Sequence, residues 1–222
     1  MGLYSIFASN QPFYIMLVVL LAWLIAIIFA ITIREFVRAY VSNKMGDPTA
    51  KLSGQLSLNP AKHIDPLGML FLVVFGFGWT KGVQTNPNLY KNFRKGQIWV
   101  SLSGIITNLC LGIIFTFVSV VAELYFNSDV IILLFLQYLF YFFAIINYVL
   151  VVINILPIYP LDGYAFLQAF LSYNNKFMVF MRRYGLIILI VLILSQLLGL
   201  FINLVLQVLY TDLFNLFAKI FI

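Results

Sequence analysis

The chain is poor in charge. Only 9% of its 222 residues are Asp, Glu, Lys or Arg, against 64% apolar. A water-soluble domain of this size needs a polar exterior, so this balance excludes one and indicates an integral membrane protein. A single cysteine, Cys110, excludes an internal disulfide and any multi-cysteine metal cluster. Basic residues are missing from the first eleven positions, "MGLYSIFASNQ". The apolar run behind them is too long for a cleavable signal and is expected to stay as a membrane helix. Internal repeats and low-complexity tracts are absent as well.

What is present is a series of long apolar runs separated by basic loops. Residues 13–33 carry no charge, enough to span a bilayer core. The helix is expected to run over 13–45 and to end at Gly46. A polar cytoplasmic loop over 46–66 follows, in which "TAKLSGQLSL" alternates in the manner of a small β-hairpin. The apolar stretch 67–79 is short and contains Gly76 and Gly78, which predicts a re-entrant segment. A second loop, 80–96, leads to a spanning helix over 97–122. A broken helix over 130–171 comes next, interrupted by Pro157 and Pro160, neither of which can donate to a helical ladder. A helix over 184–210 and an interfacial tail over 211–222 complete one membrane domain. The predicted class is an all-α polytopic membrane protein with a small cytoplasmic β-hairpin.

The net charge of +6 reports topology before it reports a nucleic-acid partner, and none is expected. Ten of the thirteen basic residues fall in the two loops after the first helix and in the stretch 176–183. Arg34 and Arg38 add two at the helix end, and the opposite side holds only Lys219. Lysine- and arginine-rich loops stay in the cytoplasm, which predicts an N-terminus outside.

At membrane depth the ionisable residues are few: Arg34, Glu35, Arg38 and Asp162. Each is costly there unless paired or hydrated, and each is a functional candidate. On a helix Arg34, Glu35 and Arg38 fall within an arc of about 100°. Two readings compete. Arginines after some twenty apolar residues commonly snorkel to lipid headgroups, and an aspartate after a proline commonly sits in the first turn of a helix, where the dipole favours it. Alternatively the four form one site.

Four stretches, in order from about residue 30 to 172, favour the single site. They are "REFVRAYVSNKMGDPTAKLSGQLSLNPAKHIDPLG", "GWTKGVQTNP", "SGIITN" and "NILPIYPLDG". With them the chain resembles the site-2 protease family of intramembrane zinc metalloproteases. The resemblance implies that family's helix-bundle core, its setting (a bacterial cell membrane) and its site. The family motif H-E-x-x-H corresponds to residues 34–38, with Glu35 at the general-base position. Asp162 falls at the position of the third zinc ligand, and Asn154, Pro157 and Asn108 at positions that receive an unwound membrane helix.

The departure lies at the centre. Both ligating histidine positions are arginine, and Gly82 and Ile105 stand where the family commonly has proline. Arginine keeps its proton and offers no lone pair to a metal. A catalytic zinc needs three protein ligands and an open position, and His63, the sole histidine, leaves the set one short. No cofactor is therefore expected, although zinc serves the family. Two arginines with Glu35 and Asp162 are neutral in sum, as two histidines, a zinc ion and the same carboxylates are. The expectation is an ion-pair cluster of Arg34, Arg38, Glu35 and Asp162 in a non-catalytic member that binds membrane-protein segments. Its partners would be the bilayer and transmembrane segments of another protein. A working intramembrane metalloprotease with an atypical metal site, and an anion or peptide transporter, are the alternatives.

Overall fold

A computed structural model describes residues 12–75 and 78–221. Helix α1 (Phe13–Met45) is 33 residues long and ends at Gly46 in the left-handed conformation, with φ 113°. At about 1.5 Å per residue it is about 50 Å long, so its last turns project beyond a hydrocarbon core about 30 Å thick. A short helix α2 (Thr49–Leu52) and a 3₁₀ turn (Pro60–Lys62) lead to α3 (Pro66–Phe75). After a second 3₁₀ turn (Pro87–Leu89) come α4 (Phe93–Tyr125) and α5 (Ile131–Ile155). Then follow α6 (Asp162–Leu167), α7 (Lys176–Leu194), α8 (Leu197–Leu206), a π-helical turn (Gln207–Asp212) and α9 (Leu213–Ala218). Among the described residues five helical stretches are long and apolar enough to cross a membrane, with α8 to α9 counted as one.

The core is the packing of α1, α4 and α5. Ala22, Ala26 and Ala30 present wholly buried small side chains, which let helices approach closely where no hydrophobic effect drives them together. Phe29, Phe115 and Phe143 fill the space beside them, with ring centroids 4.5–5.8 Å apart. Outward faces of these helices are apolar and exposed, as at Leu17, Leu21, Ile113 and Ile114, the pattern of a lipid-facing surface.

The small β-hairpin expected in 46–66 is not formed. The carboxylate of Asp47 accepts from the backbone N–H of Thr49, which starts the helical turn α2 instead of a strand. The alternating leucines also have no sheet face to bury, because Leu52 and Leu58 are exposed. The only bridge among the described residues is an isolated antiparallel pair, Ile64 with Thr80. That pair, with the Lys81 N–H donating to the His63 carbonyl at 2.9 Å, closes the neck of the segment containing α3. Residues 82–84 are hydrogen-bonded to a side chain in place of a second strand: Gln55 accepts from Gln84 N–H and donates to the Gly82 carbonyl.

Other boundaries differ from expectation because of caps. Asn92 accepts from Lys95 N–H, so α4 begins at Phe93, inside the expected loop. Asn175 accepts from Phe177 N–H, so Lys176, Arg182 and Arg183 lie on α7 instead of in a loop. The expected helix over 184–210 is divided at Gln196, whose φ is 61°. The expected interfacial tail is instead continuous with helix, and Phe217 and Phe221 pack on Phe117 and Tyr125 of α4.

Candidate functional site

The site forms where α1, α4 and the break between α5 and α6 meet. Helical spacing puts Arg34, Glu35 and Arg38 on one face of α1. On the other side Pro157 lies in the break, itself exposed, and Asp162 opens α6, at 2% exposure. Gly163 allows this approach: a Cβ there would lie 2.3 Å from the Ile155 carbonyl oxygen and 2.4 Å from that of Leu156. On α4, Gly104 leaves room for the arginine stems, since a Cβ would sit 3.0 Å from Arg38 Cδ and 3.2 Å from Arg34 Nε.

Arg34 reaches three partners. Its Nη1 donates to Glu35, and its Nη2 to Asp162 Oδ2 at 2.5 Å and to Asn154 Oδ1 at 2.8 Å. Arg38 forks across the same two carboxylates, with Nη1 3.3 Å from Glu35 Oε2 and Nη2 3.1 Å from Asp162 Oδ1. Glu35, wholly buried, also accepts the Val83 backbone N–H at 2.9 Å. Two guanidinium groups and two carboxylates thus form a closed, neutral and buried square of charge-assisted hydrogen bonds, each guanidinium bridging both carboxylates.

Asn108 of α4 makes no hydrogen bond to the square. It lies one helical turn beyond Gly104, wholly buried, and neither atom of its carboxamide has a hydrogen-bond partner. The Nε atoms of Arg34 and Arg38 are likewise unpartnered. Buried polar groups without a partner are rare in native folds. His63 makes no hydrogen bond to the square: its Nε2 is 2.8 Å from the Ser57 carbonyl oxygen, and its buried Nδ1 has no partner.

The residues present do not fit zinc. Arginine supplies no lone pair, and all four carboxylate oxygens of Glu35 and Asp162 are taken by guanidinium groups. Among the described residues no three His, Cys, Asp or Glu side chains converge in a way that could hold a metal.

Sequence reasoning missed two supports of the site. Val83 contributes a backbone N–H, which no residue type announces. Asp47 gathers Ser42, Thr49 and the Asn86 N–H within 3.0 Å, tying the end of α1 to the loop that carries Val83. Burial pushes the Asp47 carboxyl up, but the hydrogen bonds from Thr49, Asn86 and Ser42 outweigh it and hold it below the usual aspartate range. The short "GDPT" motif was the available signal, because aspartate two residues before threonine commonly closes a turn of this kind.

Comparison with known proteins gives no matching family model and no matching solved structure. Two curated proteins are similar over most of the chain. "Putative zinc metalloprotease YwhC" of Bacillus subtilis is 36% identical over 177 residues, 78% of this chain and 80% of the relative. "Putative zinc metalloprotease Rip2" of Mycolicibacterium smegmatis is 27% identical over 191 residues, 82% of this chain and 68% of the relative.

Proposed function

The chain belongs to the site-2 protease family of membrane proteins, and from that premise we infer that it is a catalytically degenerate member that binds segments of other membrane proteins without cutting them. The observation that carries this reading is the square of Arg34, Arg38, Glu35 and Asp162. A metalloprotease of the family needs a metal to activate water and a free carboxylate to take its proton. Here the general-base position is occupied by a glutamate whose oxygens already accept from two arginines and a backbone N–H. The square joins α1 to α6, the mechanical service a metal would otherwise give.

Binding of a membrane segment is supported by what remains unspent. A buried carboxamide with both donor and acceptor free, as at Asn108, matches a peptide group, which offers one of each. The break after Ile155 exposes that residue and Pro157 beside the site.

The test combines metal content with the fate of a captured chain. Purified protein is expected to contain far less than one zinc per chain, and Asp162→Ala is not expected to change that content. A photo-crosslinker at position 155, exposed at the break, is expected to capture single-span membrane proteins whose chains are intact. Stoichiometric zinc that is lost in Asp162→Ala, or captured chains severed within their membrane segment, overturns the reading.

The names of the relatives favour a second reading, a working zinc metalloprotease. It requires a ligand set that the arginines do not supply, and the zinc measurement decides between the two.

A further inference from the structure

At the far end of α4 from the arginines lies a shallow, open cavity of about 240 Å³, lined by Glu123, Tyr141, Tyr210, Thr211 and Phe214. Three elements build it. Glu123 stands two residues before the end of α4, Tyr141 faces it from α5, and the π-helical turn and the start of α9 supply the other three. The ring of Tyr141 meets that of Tyr210 edge-on, with centroids 5.3 Å apart and planes at 83°. Phe214 follows at 5.7 Å from Tyr210. Tyr210 is fixed by its hydroxyl, 3.4 Å from Ser119 Oγ. A π-helical turn is rare, adds a residue to one coil of the helix, and is found mostly at functional positions. Here it supplies both Tyr210 and Thr211.

Tyrosines near a helix end are ordinary membrane-interface anchors. A carboxylate among them is not ordinary. Glu123 has no ion-pair partner among the described residues, and Lys219, just past the end of α9, makes none with it. Glu123 is exposed near the end of α4, where an arriving cation can reach it. Aromatic faces around a negative charge are the surroundings that bind an organic ammonium, through ring quadrupoles and the carboxylate together. Glu123 lies about 3 Å of helical rise from the end of α4, which puts the cavity near headgroup level.

We propose that this cavity is a binding site for an organic ammonium group, supplied by the headgroup of an amine-bearing phospholipid. The ammonium pairs with Glu123 beside the Tyr141–Tyr210 ring pair, while the acyl chains lie along the apolar outer face of α8 and the π-helical turn, where Leu204 and Val208 are exposed.

Native mass spectrometry of the detergent-purified protein tests this, with phosphatidylethanolamine and phosphatidylglycerol added in equal amounts. The protein is expected to retain the ethanolamine lipid at least about fivefold over the glycerol lipid, and Glu123→Gln, at an exposed position, to abolish the preference while leaving the melting temperature unchanged. Tyr141→Leu is expected to reduce the preference. Free ethanolamine, added to delipidated protein, separates the two sources. If it raises the melting temperature of the wild type but not of Glu123→Gln, and no lipid preference exists, the site takes a soluble amine and the lipid assignment is overturned. If neither lipid preference nor ethanolamine protection depends on Glu123, the ammonium site itself is overturned.

Discussion

A guanidinium offers protons only, where an imidazole would offer an electron pair, and this decides what a position on a helix is able to bind. Arg34 and Arg38 accordingly bind carboxylates. Removing one member from such a buried set leaves an uncompensated charge. Asp162→Ala is therefore expected to destabilise the protein by about 3–5 kcal/mol, read as a lowered midpoint of unfolding in detergent. Replacing Arg34, Glu35, Arg38 and Asp162 together by apolar residues of similar volume is expected to cost less than that single change, because no charge is then left unpaired. A near-neutral Asp162→Ala would instead mean that the pairs contribute nothing. Asp47 makes a pH prediction of definite sign. Its carboxyl is held below its unfolded value of about 3.9, so its stabilising effect is complete above that pH and is lost as pH falls through the lower folded value. In an acid titration of stability Asp47→Asn is expected to flatten that part of the curve.

Elements begin and end here where single side chains or backbone atoms decide. The alternation in "TAKLSGQLSL" is a fair strand signal, yet Asp47 and Thr49 convert its start into a helical turn, and among the described residues no strand pairs with it. The caps at Asn92 and Asn175 lengthen α4 and α7 into stretches whose charges read as loop. Arg182 shows how a basic residue is accommodated there: it donates to the Tyr173 carbonyl at 2.7 Å and lies 3.6 Å over that ring. The break at Pro157 is different, since its position was legible from proline alone, whereas its tightness depends on Gly163. Gly163→Ala is expected to cost about 1–3 kcal/mol by forcing α6 away from the end of α5. The same shift would lengthen the Arg38–Asp162 pair, so the melting-point losses of Gly163→Ala and Asp162→Ala are expected to be less than additive.

For the whole molecule, the apolar fraction and the basic loops define a membrane protein with the site near one face. If the loops are cytoplasmic, a membrane-impermeant thiol reagent applied to intact cells will label Asn127→Cys, in the turn after α4, and leave Ser57→Cys unlabelled, both made in a Cys110→Ser background. The opposite pattern would invert the chain. The sequence by itself determined the class, the family and the residue types at the site, because composition, periodicity and motif spacing are properties of the linear chain. Only the tertiary structure decided that the arginines turn inward to Asp162 instead of outward to lipid, since either course is open to a long side chain at a helix end. The choice rests on groups far apart in the chain: the space at Gly104, the break that brings Asp162 to α1, and the Val83 N–H that completes the shell of Glu35.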